Sequence, residues 1–128
     1  MKNYYRVILG RKHVFADEAY KGNFIGADFI AKEDLTNLQV GTQRDFNEKF
    51  VPLYFKKHPD KEKAVAVIAG GMMWAIFKGM QIGDVVLCPS GKGDYYVGVV
   101  TGSYEFHVGA SLPHQRPVRL FPKTILRV

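Results

Sequence analysis

Gly83-Asp84-Val85-Val86-Leu87-Cys88, Pro89-Ser90-Gly91-Lys92-Gly93-Asp94 and Tyr95-Tyr96-Val97-Gly98-Val99-Val100-Thr101 follow one another without interruption. The outer blocks are rich in β-branched and aromatic residues, and the middle block holds the residue types that turns require. This order predicts a strand, a polar turn and a returning strand, which together make an antiparallel hairpin. Downstream, Gly102 interrupts the pattern, Ser103 to His107 resumes it, and Arg116 to Phe121 supplies another strand after Pro113.

Upstream of the hairpin lies the longest apolar run, the 14 residues from Ala64 to Phe77. A membrane-spanning helix needs roughly 18 or more such residues, so the run predicts a buried helix, from about Asp60 to Met80. Gly70-Gly71 within it lets the backbone approach a neighbour closely. Before that, Thr42-Gln43-Arg44-Asp45 has the form of a helix cap, and Phe46, Phe50 and Leu53 follow at helical spacing. Pro52 is expected to end or kink this helix, and the segment from Lys56 to Asp60 is a polar break. Glu33 to Thr42 reads as a loop. Phe24 to Ile30 reads as a strand opened by Gly22-Asn23, with Gly26 marking a bulge or a close backbone approach. His13 to Tyr20 suits a short helix with Ala16, Ala19 and Tyr20 on one side, and Tyr4 to Leu9 a first strand ending at Gly10. The sum is an α+β fold. It is expected as one domain over residues 1–128, a curled, mostly antiparallel sheet or small barrel with helices inserted between the second and third strands.

Composition narrows the function classes. A chain of 128 residues with 47% hydrophobic and 23% charged residues buries a core and is not disordered. Cys88 is the only cysteine, which excludes an internal disulfide and a thiolate metal cluster. The segment after Met1 has neither the length nor the cleavage pattern of a signal peptide, so a cytoplasmic, non-membrane protein is expected. Eighteen Lys and Arg against twelve Asp and Glu leave a formal charge of +6, which favours polyanionic partners. From Lys78 onward the basic side chains are Lys78, Lys92, Arg116, Arg119, Lys123 and Arg127, opposed by Asp84, Asp94 and Glu105.

Catalytic patterns are missing from the sequence. His13, His58, His107 and His114 lack the spacing of metal ligands. Gly91-Lys92-Gly93 lacks the spacing of a phosphate-binding loop, and there is no nucleophile elbow. Pro59-Asp60 is not followed by the acidic-x-Lys strand of metal-dependent nucleases. Neither an enzyme active site nor a cofactor or metal is expected within these residues. Asp84 reads as a turn residue opening a strand. Arg116 and Arg119 flank Val118 and are expected to share the face opposite that valine, turned to solvent or to phosphate. Seven Tyr, nine Phe and one Trp form a large aromatic complement. Most of these rings are expected in the core, but an aromatic near basic residues can also stack on an extruded base.

Three ordered motifs add to this reading. The first is Phe77-Lys78-Gly79-Met80-Gln81-Ile82-Gly83-Asp84-Val85-Val86-Leu87, and the second is Tyr96-Val97-Gly98-Val99-Val100-Thr101-Gly102-Ser103-Tyr104-Glu105-Phe106. The third is His114-Gln115-Arg116-Pro117-Val118-Arg119. Together they resemble the EVE-like and YTH-like domains of the PUA superfamily, in particular the amino-terminal domains of Mrr-type and other modification-dependent restriction endonucleases. Asn23 to Phe29 is similar to the strand of that family in which an aromatic follows a glycine. Ala27 stands at that aromatic's position and Leu120 at the family's closing Trp.

The resemblance implies a PUA-like fold and a DNA-binding specificity domain. Such a domain recognises a modified base, flipped into an aromatic pocket, and targets a nuclease in the same chain or on a partner. It implies double-stranded DNA with modified bases as the partner. It also implies a base pocket drawn from Asn23, Phe24, Asp28, Phe29, Trp74 and Tyr104, and backbone contacts from Lys92, His114, Arg116 and Arg119. An RNA-binding or small-ligand-binding PUA-like domain is the alternative.

Overall fold

The computed structural model describes residues 3–9, 14–30 and 32–126. Among these residues nine regular elements occur in the order β1 (Tyr4–Arg6), α1 (Ala16–Gly22), β2 (Phe24–Ala27), α2 (Gln43–Lys57), α3 (Lys63–Trp74), β3 (Val85–Pro89), β4 (Asp94–Val100), β5 (Glu105–Phe106) and β6 (His114–Leu126). A π-helical turn, Ala75–Gly79, continues α3.

The hairpin forms where the turn residues place it, with Val85 opposite Val99 and Pro89 opposite Tyr95. The sheet runs β1-β3-β4-β6-β2, with β5 also paired to β6. Every pairing is antiparallel except β1 with β3, which is parallel. Among the described residues β1 and β2 do not pair, so the strands make an open path and not a closed barrel. The mixed α+β class and the insertion of the two long helices between β2 and β3 are as expected.

Long β6 holds the sheet together. Its first residues pair with β2 on one edge and β5 on the other, and its remainder pairs with β4. It extends on both sides of the expected Arg116–Phe121 stretch. The two-residue period turns His114, Arg116, Val118 and Leu120 to the buried face and leaves Arg119 exposed on the other. The expected shared face for Arg116 and Arg119 is therefore wrong. Three positions separate them, and an odd separation puts two strand residues on opposite faces.

Thr42 caps α2 by accepting the Asp45 amide at 3.1 Å. Pro52 neither ends nor breaks this helix, which continues to Lys57. Proline at 52 removes the amide that would pair with the Glu48 carbonyl, but both residues lie on the exposed side, where water can solvate that carbonyl. Phe46, Phe50 and Tyr54 recur every fourth residue and are buried. They meet Ala66, Ala69, Gly70 and Met73 of α3. A Cβ on Gly70 would lie 2.5 Å from Asn47 Oδ1, so a side chain there would have to push the Asn47 amide aside.

Four other boundaries differ from expectation. β1 stops at Arg6, although Val7 still donates to the Leu87 carbonyl. Strand β2 stops at Ala27, because the chain turns at Phe29 and Ile30 and Ile30 adopts φ of +42°. β5 shrinks to two residues. The helix read as starting at His13 begins at Ala16 among the described residues; His13 and Gly10 lie outside them.

Candidate ligand site

Strands β4 and β5 are one strand interrupted beside β6. Val100 pairs with Val118 and Glu105 with Gln115, so the four residues Thr101–Tyr104 stand against only Arg116 and Pro117. The excess chain loops outward, which aims the Gly102 carbonyl at Arg116 and turns Tyr104 back over the sheet. Opposite this loop, the π turn presents the carbonyls of Ile76 and Met80. Arg116, only 4% exposed, takes all three: Nε donates to Gly102 at 2.8 Å, and Nη1 to Met80 at 2.9 Å and Ile76 at 3.3 Å.

No carboxylate among the described residues reaches Arg116 as an ion pair. Burial presses against its charged form, and Asp84 and Tyr5 support that form from a distance. Asp84 is itself buried and accepts the amides of Gln81 at 2.8 Å and Asn3 at 3.0 Å. The Gln81 bond is the main cause that holds its carboxyl below the usual range; burial opposes it. Asp84 thus does more than open a strand: it ties the end of the π turn to β1.

Arg116 forms the floor of a cleft of about 380 Å³. Phe77 and Tyr104 are its aromatic walls, set edge to face at 5.1 Å, and Lys78, Gln81 and Thr36 line its rim. Among the described residues Nη2 of Arg116 makes no hydrogen bond, so it remains a donor for an occupant. Lys78 is exposed, with its ammonium 5.3 Å from the Phe77 ring and donating to the Val40 carbonyl.

Behind Tyr104 lies a chain of hydrogen bonds whose polarity can be worked out. His114 is fully buried, and burial lowers its pKa, favouring the neutral ring. Nε2 lies 3.0 Å from the Ile30 carbonyl, which can only accept, so Nε2 carries the proton. Nδ1 must then accept from the Tyr104 hydroxyl at 2.7 Å. The Leu35 amide donates to the same hydroxyl oxygen at 3.2 Å. Burial raises the Tyr104 pKa to about 12, so the phenol keeps its proton. With that proton committed to His114, the hydroxyl has only acceptor capacity left for the cleft.

The sequence model of a family described as a domain of unknown function (DUF8426) matches residues 5–125. The chain belongs to this family. No curated protein and no solved structure matches it. The DUF8426 match runs from within β1 to near the end of β6 and so includes every residue of the cleft.

Within this DUF8426 domain the ten expected site residues do not converge. Tyr104 and Arg116 share the cleft, although Arg116 faces inward and not toward solvent. Asp28 and Phe29 line a second, apolar cavity near α3. Trp74 packs against Phe46 at 5.6 Å. Phe24 is half-buried against the core. Asn23 is the left-handed cap of α1, and its side chain accepts the Leu120 amide at 3.1 Å.

The expected backbone contacts also separate. His114 is buried and committed to Tyr104 and Ile30, so it cannot meet phosphate. Lys92 sits in the β3–β4 turn, at the far end of the hairpin from Asp84, and pairs with Asp17 at 3.9 Å on the surface. Arg119 is exposed, its guanidinium carbon 5.7 Å from the Phe121 ring. Phe77 and Lys78 belong to the cleft and were not singled out by sequence. The available signal was a lysine directly after the last aromatic of an apolar run.

Proposed function

We propose that this domain is a nucleic-acid reader of PUA-like architecture that takes one extruded, modified DNA base into the Arg116 cleft and directs a nuclease to it, in the same chain or on a partner. The observation that carries the reading is the buried Arg116 guanidinium, with Nη2 uncommitted, at the floor of a cleft walled by Phe77 and Tyr104. The cleft falls within the volume range of small-ligand sites, roughly 300–1,000 Å³. Stacking on aromatic side chains contributes about 1–3 kcal/mol per base, against an extrusion cost of a few kcal/mol.

Polarity selects the base edge. Arg116 Nη2 requires an acceptor and Tyr104 Oη a donor, so the captured edge carries an amino group beside a ring acceptor, as cytosine and adenine do. Lys78 at the rim and the formal charge of +6 supply attraction to the phosphates.

The test is a binding panel of duplexes carrying an unmodified, methylated or hydroxymethylated cytosine or adenine, at several salt concentrations. Tighter binding of a modified duplex, with affinity falling steeply as salt rises, supports the reading. Lys78→Ala should weaken all duplexes alike and reduce the salt slope by about one. Tyr104→Phe removes the acceptor for the amino group, so it should weaken modified and unmodified duplexes alike. Equal binding of modified and unmodified duplexes at every salt concentration rules out modified-base recognition, and a preference for structured RNA would assign the cleft to RNA.

A further inference from the structure

The cavity beside Asp28 and Phe29 is separate from the Arg116 cleft, and His114 bonds to Tyr104 of the one and to Ile30, next to Phe29 of the other. It measures about 510 Å³ and is walled by Val7, Ile8, Phe29, Ile68, Met72 and Leu112. Protein interiors leave few voids larger than a water molecule, whereas ligand sites are apolar cavities of this order with one or two polar groups. The depression opens to solvent, and its lining, Asp28 apart, is apolar, unlike that of the other grooves among the described residues.

Its mouth is apolar as well. Ile68 is 69% exposed and Ile8 36%, and both line it. α3 therefore offers apolar side chains both to α2 and to the outside. An apolar occupant would remove the outward group from water.

One exposed carboxylate stands at the rim. Among the described residues Asp28 is the single charged one lining the cavity, on a chain whose formal charge is +6. It makes no ion pair among the described residues. The turn that carries it includes Ile30 at φ of +42°, a conformation that β-branched residues rarely adopt. The buried His114 holds that turn by donating from Nε2 to the Ile30 carbonyl. The strained turn is thus fixed from inside the core, and it sets a carboxylate against an apolar cavity.

We infer that this cavity is a second binding site, for a small molecule with an apolar body and a cationic head that meets Asp28. It shares no lining residue with the Arg116 cleft and stands whether or not that cleft binds nucleic acid.

The experiment follows backbone amide shifts of the nitrogen-15-labelled protein during titration with three probes of one shape: 4-phenylbutylamine, 4-phenylbutanol and 4-phenylbutyrate. The amine should shift the amides of residues 26–29 and 68–72 saturably. The alcohol should shift the same amides with a Kd up to about five-fold weaker, as expected for one exposed charge pair. The carboxylate should bind most weakly. Asp28→Asn, at an exposed position, should bring the amine to the level of the alcohol, and Ile68→Asn should weaken both. The inference is overturned if none of the probes shifts these amides. It is equally overturned if the shifts map to the Arg116 cleft, if amine and alcohol bind alike, or if Asp28→Asn leaves the amine unaffected.

Discussion

Replacing Arg116 with methionine keeps much of the side-chain volume but removes the charge and all of its donors. In the folded protein three carbonyls then lose their partners: Gly102 in the β4–β5 loop, and Ile76 and Met80 at the π turn. A buried acceptor left unpaired costs about 1–3 kcal/mol. The Ile76 bond is long and the cleft admits some water, so two full losses and one partial one give about 4 kcal/mol. Removing the charge also relieves the cost of burying it, so this figure is an upper estimate. With a urea slope of roughly 2 kcal/mol/M for a domain of this size, the midpoint should fall by about 2 M. Urea titration followed by Trp74 fluorescence measures this, since Trp74 packs against Phe46 beside the π turn. Arg116→Lys should fall between the two, because one ammonium group cannot reach carbonyls on both sides. A loss below about 1 kcal/mol for Arg116→Met would refute the reasoning, because the loop and the π turn would then not depend on this guanidinium.

The acid limb of stability should report His114. Its folded pKa lies below the unfolded value because burial disfavours the imidazolium, so its contribution is fully present above the unfolded pKa near 6.5. It is lost as pH falls from there through the folded pKa, with a slope of up to about 1.4 kcal/mol per pH unit. A denaturation series from pH 7.5 to 4.5 should show this slope in the parent and a shallower one in His114→Gln; parallel curves would contradict a neutral, buried ring. Cys88 is fully buried, and burial pushes its thiol up to about 12. It should therefore resist a thiol-specific chromogenic reagent in the native protein and react in urea; prompt native reaction would contradict its burial.

Local chemistry made much of the fold readable. The turn residues 89–94 bounded by β-branched blocks specify the hairpin wherever the rest of the chain goes. Thr42 followed three residues later by Asp45 starts α2 by a bond spanning one helical turn. Alternation along Arg116–Val118–Leu120, correctly counted, also assigns the buried face of β6. Readings of this kind rest on interactions between residues a few positions apart, which any sequence displays directly.

The site depends on residues far apart in the chain. Arg116 meets carbonyls 14, 36 and 40 residues away, and His114 meets one 84 residues away. Polar side chains are ordinarily expected at the surface, and nothing within a few residues of these two reveals which acceptors will surround them. The four residues of Thr101–Tyr104 standing against two of β6 exist only once the strands pair. Likewise, Phe77 and Tyr104 become the walls of one cleft only when the π turn packs on β6. Local periodicity selects helices and strands, because their hydrogen bonds and faces repeat over short distances. Whether a buried charge is satisfied, and what it is left to bind, is settled by acceptors that meet it only after the chain has closed on itself.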